Sequence, residues 1–160
     1  MKIYLGADHG GFDTKNELLK QLEAKFPEHE FVDLGAKTLE PLDDFPDYAE
    51  AVARNVAGEN DEVGESEWKA LGILICRSGN GMCIAANKVK GIYASLGFSA
   101  QHGLMARRDD NANVLCLDAD YKSEEPIDIA MSFINAKFAG FDTKYGRRFG
   151  KVLEIEKKGF

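Results

Sequence analysis

The sequence predicts an α/β fold: a five-stranded parallel sheet with helices on both faces, a three-layer αβα sandwich. Three observations predict it. Short apolar runs alternate with segments of helical periodicity along the chain, the pattern of repeated βαβ units. Glycine and turn residues punctuate the runs. The residues with chemical character follow the first, third and fifth runs, at strand carboxyl ends, where such sheets bind ligands.

The elements follow in order. Lys2–Ala7 is a short apolar strand, and His9-Gly10-Gly11 is a turn. Asp13 can cap the next helix, whose apolar stripe is Leu18, Leu19, Leu22 and Phe26. Glu30–Leu34 reads as a second strand ended by Gly35, and Lys37–Asp44 as a loop. Pro46 fits the first turn of a helix carrying Tyr48, Ala51, Val52 and Val56. The acidic segment Gly58–Lys69 reads as a surface loop or helix extension. Leu71–Ile75 is the third strand, Met82–Lys90 a helix, Ile92–Gly97 the fourth strand and Ala100–Arg108 a helix. Asn113–Leu117 is the fifth strand, and an amphipathic helix runs from about Pro126 to Phe138. The polar, basic tail keeps a short apolar pattern at Phe149, Val152, Leu153 and Ile155. The arrangement is Rossmann-like.

Bulk properties narrow the function. A chain of 160 residues suits one domain with a sizeable core. A net charge of −7 without a long basic run argues against nucleic acid as a partner. No apolar run is long enough to span a membrane, and the first residues lack the apolar core of a signal peptide. Cys76, Cys83 and Cys116 are an odd set in unrelated contexts, which reads as reduced thiols of a cytoplasmic protein. Three scattered histidines give no zinc spacing.

The stretch Ile73–Val89 is the most informative. An apolar strand stops at Cys76, a tight loop Ser78-Gly79-Asn80-Gly81 follows, and a helix begins. Such a loop can hold an anion on backbone N–H groups. A thiol beside it can act as a thiolate base next to an anion hole, as proton abstraction beside a carbonyl requires. The bland reading is a small apolar residue before a plain turn, with Cys83 and Cys116 as core residues. The spacing fits neither the dinucleotide fingerprint nor the Walker loop. Asp8 and His9 end the first strand and could orient a hydroxyl or an anion. Asp109-Asp110-Asn111-Ala112-Asn113 has the composition of a turn. Lys144, Arg147, Arg148 and Lys151 are either a solvated face or a phosphate receiver.

Taken together, GADHGGF (Gly6–Phe12), DFPDYA (Asp44–Ala49), ILICRSGNGMCIAANKVKGI (Ile73–Ile92), ARRDDNANVL (Ala106–Leu115) and KYGRRFGKV (Lys144–Val152) make the chain similar to a known family. It resembles the ribose-5-phosphate isomerase B and galactose-6-phosphate isomerase family of sugar-phosphate isomerases, from Lys2 to about Val152. The resemblance implies an aldose–ketose isomerase that works through a cis-enediolate, with no metal and no other cofactor. In one branch the base is a cysteine at the position of Cys76; in another it is a glutamate where this chain has Met82. Cys76 is then the base, and Ser78 matches a hydroxyl that assists the proton shuttle. The amides of Ser78, Gly79, Asn80 and Gly81 would hold the enediolate oxygens. Asp8 and His9 match residues that contact sugar hydroxyls and phosphate. Arg148 matches a phosphate-binding arginine, and Lys144 replaces a second one.

The resemblance also shows departures. Asp109-Asp110 stands where the family has His-Asn, whose histidine opens the sugar ring. Asp120 replaces an arginine, Phe45 a tyrosine and Arg77 a glycine, and Lys144-Tyr145 replaces Arg-His. Three readings follow. A pentose- or hexose-phosphate isomerase would open the ring with Asp109, or with His102 two helical turns earlier. A tetrose-phosphate isomerase would need no ring opening, because a 4-phosphate blocks furanose closure. A non-catalytic subunit would only bind the sugar phosphate. By resemblance the protein forms a homodimer or dimer of dimers. The Asp109–Asn113 turn would complete the neighbour's site, and a C-terminal segment of about 142–160 would pack on the partner subunit.

Overall fold

The computed structural model describes residues 1–61, 67–122 and 124–159. Five strands are joined by helices: β1 (Lys2–Ala7), a 3₁₀ turn (His9–Gly11), α1 (Phe12–Lys25), β2 (Glu30–Asp33), α2 (Phe45–Asn60) and β3 (Ala70–Cys76). There follow α3 (Asn80–Ala86), β4 (Ala94–Leu96), α4 (Ala100–Arg108), β5 (Val114–Asp118), α5 (Pro126–Asn135) and α6 (Lys144–Lys158). All strands are parallel, in the order β2-β1-β3-β5-β4. The expected α/β sandwich is present.

Two apolar layers flank the sheet. Leu18 and Leu22 of α1, Ala106 of α4 and Ile129 and Phe133 of α5 pack on one face with Ile3, Leu5 and Ile73. Val52 and Val56 of α2 and Met82 and Ala86 of α3 pack on the other with Leu74, Val114 and Cys116. β3 is buried along its whole length, as a central parallel strand requires. The neighbours β1 and β3 send their following helices, α1 and α3, to opposite faces. The loops after them therefore diverge and open a crevice at the carboxyl edge.

Several local expectations are corrected. Asp13 is not a cap: no side chain caps α1, and Asp8 instead accepts from Gly11 N–H at 3.2 Å to close the 3₁₀ turn. The helix after the glycine loop ends at Ala86 rather than Lys90, because the Asn87 amide bonds the carbonyls of Cys83 and Ala94. The fourth strand shrinks to Ala94–Leu96, and α5 stops at Asn135, where Ala136 turns extended. The tail forms a full helix, α6, capped by Thr143 Oγ1, which accepts from Gly146 N–H at 3.2 Å. Its Phe149 is buried edge-on against Tyr93, with centroids 4.9 Å apart. The acidic segment begins as a continuation of α2 to Asn60; residues 62–66 of it lie outside the described residues. Among the described residues, no helix is long and apolar enough to cross a membrane.

Candidate active site

Strand order makes the site. Because β1, β3 and β5 are adjacent, the loops carrying Asp8-His9, Cys76–Gly81 and Asp118–Asp120 lie side by side. Cys76, the last residue of β3, is 6% exposed, and its Sγ accepts from Gly79 N–H at 3.1 Å. Gly79 has φ +73°, and a Cβ there would lie 2.8 Å from Leu96 and 3.1 Å from the Leu117 carbonyl oxygen. Only glycine fits this turn. Ser78 Oγ accepts from Asn80 N–H at 3.4 Å, which folds the hydroxyl over the loop. The Phe45 ring lies against Gly81, so α2 walls the loop with an apolar edge.

The β1 loop contributes acid and imidazole. Asp8 is buried, and half-buried His9 is gripped by Asp43 from the 37–44 loop. The His9 N–H donates to both Asp43 carboxylate oxygens at 3.0 and 3.1 Å, and Nδ1 lies 2.6 Å from Oδ1. With a carboxylate as acceptor, Nδ1 carries the proton and Nε2 is left for another partner. Burial works against the Asp43 charge, but the bonds from His9 and from Tyr48 outweigh it and hold the carboxyl below the usual range. Burial and Asp43 together push the Tyr48 phenol up. Sequence reasoning missed Asp43 and Tyr48 as site residues. The one signal was the DFPDYA block, which contains Tyr48 and begins next to Asp43.

Asp8, His9 and Asp43 place three potential metal-ligand atoms within 4.8 Å of one another. Asp43 is engaged by the His9 ring and backbone, and one Asp8 oxygen by Gly11 N–H, so bonds within the protein hold the three groups as a polar wall.

Arg77 and Asp120 extend the β3–β5 register beyond the strands. Asp120 N–H donates to the Arg77 carbonyl at 3.1 Å, one step after Ala119 N–H donates to that of Cys76 at 2.9 Å. Their side chains meet at 3.5 Å.

The remaining expected residues lie elsewhere in the chain. α4 runs back from the carboxyl edge, so the turn after it is at the opposite, amino edge. There Asn113 accepts from Tyr93 N–H, and its own carbonyl meets Gly72 N–H at the start of the β3–β5 pairing. Asp109 is forked by Arg108 at 2.6 and 3.0 Å. Burial and the Asp109 charge raise the Asp110 carboxyl, while Arg148 opposes them. Buried Arg107 bonds the Asn111 amide oxygen, and desolvation lowers its guanidinium to about 10. Arg148 and Lys144 are exposed on α6, and the Lys144 ammonium lies 5.0 Å over the Tyr145 ring. His102 is on the first turn of α4, exposed, its ring against Phe98 beside the edge strand β4. The seven residues of β3 alone span roughly 20 Å. The structure thus gathers Asp8, His9, Cys76, Arg77, Ser78, Gly79, Asn80 and Gly81 in one crevice. Asp109, Asp110 and Arg148 gather at the other end of the sheet.

The expectation of unrelated cysteine contexts is also corrected. All three thiols belong to one layer beneath the loop. Cys116 is fully buried, and burial and its contact with Cys83 raise its thiol well above the ordinary value. Cys83, expected in the core, is half-buried, its thiol donating to the Ala94 carbonyl at 3.3 Å.

Fold and site together define a class: α/β proteins that work on a small polar molecule at the carboxyl ends of central parallel strands. Comparison with known proteins names the family within it. The family described as Ribose/Galactose Isomerase matches residues 3–152. A probable ribose-5-phosphate isomerase B of Mycoplasma pneumoniae is 39% identical over 157 residues, covering 98% of this chain and 95% of that protein. The crystal structure of ribose-5-phosphate isomerase B from Mycoplasma genitalium with bound ribulose-5-phosphate has a TM-score of 0.86 at 39% identity, covering 98% and 96% of the two chains. A ribose-5-phosphate isomerase B structure from Clostridium thermocellum has a TM-score of 0.84 at 36% identity, covering 99% of each chain. The chain belongs to the ribose/galactose isomerase family.

Proposed function

We propose that this protein interconverts an aldose phosphate and a ketose phosphate, of the ribose 5-phosphate to ribulose 5-phosphate type, through a cis-enediolate and without a metal. The observation that carries the reading is the placement of Cys76 Sγ in the Gly79 turn, beside the Asp8–His9–Asp43 wall on the neighbouring strand. Family membership supports the reaction class.

The chemistry follows from the crevice. Cys76 as thiolate takes the proton from C2 of the open-chain aldose. The C–H electrons form the C1–C2 double bond, and the carbonyl electrons move to O1. The Gly79 amide already supports the Cys76 sulfur and the Asn80 amide the Ser78 hydroxyl, so the amides of Ser78 and Gly81 are the donors left for the developing charge; one such donor is worth roughly 10²–10³ in rate. Ser78 passes a proton between O1 and O2, and Cys76 returns its proton to C1. Asp8 orients sugar hydroxyls, and His9 offers Nε2 to hydroxyl or phosphate.

A second subunit supplies what the crevice lacks. In this reading Asp109, Asp110, Lys144 and Arg148 act on the crevice of a symmetry-related copy, in a homodimer or dimer of dimers. Two observations support it: these groups lie a strand length from Cys76 in their own chain, and Val152 and Ile155 of α6 are exposed apolar residues.

One observation favours a shorter sugar. The Arg108 fork holds Asp109, the residue at the ring-opening position, and His102 sits at the outer edge of the sheet. A tetrose 4-phosphate needs no ring opening. Incubating C4, C5 and C6 sugar phosphates in heavy water tests these readings together. Exchange at C2 of the pentose phosphate is expected, and Cys76→Ala should abolish it with the fold retained. Exchange on the tetrose phosphate alone selects the shorter substrate. Exchange on none makes the chain a binding subunit.

A further inference from the structure

Arg77 and Asp120 form a pair of unusual placement. The Arg77 stem crosses the β1 loop: a Cβ on Gly10 would lie 2.7 Å from Arg77 Cγ and 3.2 Å from Asp8 Oδ1. The guanidinium then reaches the β5 loop, where Nη1 meets Asp120 Oδ2 at 3.5 Å. Arg77 thus spans the crevice mouth from the loop of Asp8 to the loop of Asp120. It also follows Cys76 directly in the chain.

The pair is poorly suited to stabilising the fold. The two side chains are 66% and 42% exposed, and the contact is single and long. An exposed ion pair of this kind contributes little. It is well suited to exchange, because a phosphate dianion offers a guanidinium about twice the charge of a carboxylate, and the present contact uses only one carboxylate oxygen. The Lys15 ammonium, by contrast, is buried and locked between Asp33 and the Ala36 carbonyl. The crevice is otherwise acidic, with Asp8, Asp43, Asp118 and Asp120 at its loops, so an anionic substrate needs a cation there.

We infer that Arg77 is the phosphate-reading residue that this subunit contributes to the site, and that Asp120 is its resting partner. Asp120 holds the guanidinium across the mouth until a phosphate monoester displaces the carboxylate. The pair discriminates for phosphorylated sugars: a neutral sugar leaves it closed, and a dianion opens it. The inference rests on the isomerase reading for its substrate class, but phosphate binding can be measured without turnover.

The test is steady-state isomerisation of the sugar phosphate active in the heavy-water panel, with competition by inorganic phosphate, and calorimetric titration of inorganic phosphate into the same proteins. Arg77→Ala should raise KM and weaken inorganic phosphate binding by about 10- to 100-fold, the worth of a hydrogen bond to a charged group. Arg77→Lys should recover part of both. Asp120→Asn should move both the other way, tightening inorganic phosphate by about two- to five-fold. Thermal melts of each variant check folding, and Arg77→Gln stands in if the alanine variant does not fold. If Arg77→Ala leaves KM and the phosphate constant within two-fold, the inference is overturned. If Asp120→Asn weakens phosphate as Arg77→Ala does, Asp120 is a fixed support and the exchange is wrong. A wild-type protein that binds inorganic phosphate through Arg77 yet isomerises no sugar phosphate overturns the isomerase reading alone.

Discussion

At the carboxyl edge of the sheet, Cys76, Asp8 and Asp120 leave three adjacent strands on short loops, and their neighbours in the fold hold them. At the amino edge, Asp109 and Asp110 share a turn whose charges are met by Arg108 from the same segment and Arg148 from α6. The first region is a crevice with a thiol, an imidazole and a loop shaped around glycine. The second is a cluster of paired anions and cations. In the proposed reading, one fold thus carries two half-sites of different character, a chemical half and a charge half. Parallel topology explains the split, because the helix after each strand returns the chain to the edge opposite the one where that strand ended, and α6 follows α5 from there.

Complementation between two variants tests the division between the two ends of the sheet most directly. Cys76→Ala should cut turnover by roughly 10²–10⁴, the usual worth of general acid–base catalysis. Arg148→Ala should raise KM by about 10- to 100-fold, as loss of a charged hydrogen bond to phosphate does. In the two-subunit reading, mixing the two variants and allowing subunits to exchange should restore about a quarter of wild-type activity at substrate well below KM. Half of the random dimers are mixed, and each mixed dimer has one site intact. No recovery on mixing would place both halves in the service of one chain and refute the divided site.

The same contrast explains what could be read from the sequence. The sheet, most of its helices and the Cys76–Gly81 loop were legible, because apolar period and glycine spacing are local signals. The strand order was not, yet it is what brings Asp8 beside Cys76. Asp43 was invisible for a related reason: its bond to His9 links positions 34 residues apart. α6 read as a weak apolar pattern in a polar tail. Its burial comes from Phe138, just upstream, and from Tyr93, which is distant in sequence. The shared environment of Cys83 and Cys116 also depends on packing between a helix and a strand that local spacing does not encode.

Two glycines compare the stiffness of the halves. Gly79→Ala forces a side chain into the left-handed region and against Leu96, and should cost about 1–3 kcal/mol in urea unfolding. Gly146 has no such conformation, but a Cβ there would lie 2.3 Å from Phe141 Cα and 2.4 Å from the Gly140 carbonyl oxygen. Gly146→Ala should therefore lift the start of α6 and, if α6 packs on a second subunit as proposed, shift the assembly toward monomer in sedimentation. A variant that lost stability but kept its oligomeric state would remove α6 from the interface.

The smallest effect lies in the acid limb of stability, where the two halves should differ in sign. Asp43 has a folded-state pKa below its unfolded value of about 4. Its contribution is therefore present above that value and is lost as pH falls through the depressed one. Asp43→Asn should flatten the acid limb of the unfolding free energy, and it should also raise KM, because the His9 ring loses its anchor. Asp110 is shifted the other way by burial and by Asp109. Its contribution is present below the unfolded pKa and lost as pH rises through the raised folded one, so Asp110→Asn should stabilise slightly near neutral pH. Urea unfolding from about pH 3 to 7 measures both. Equal slopes for the two variants would mean that Arg148 balances Asp110 in the assembled protein, leaving that cation less available for a neighbour's phosphate.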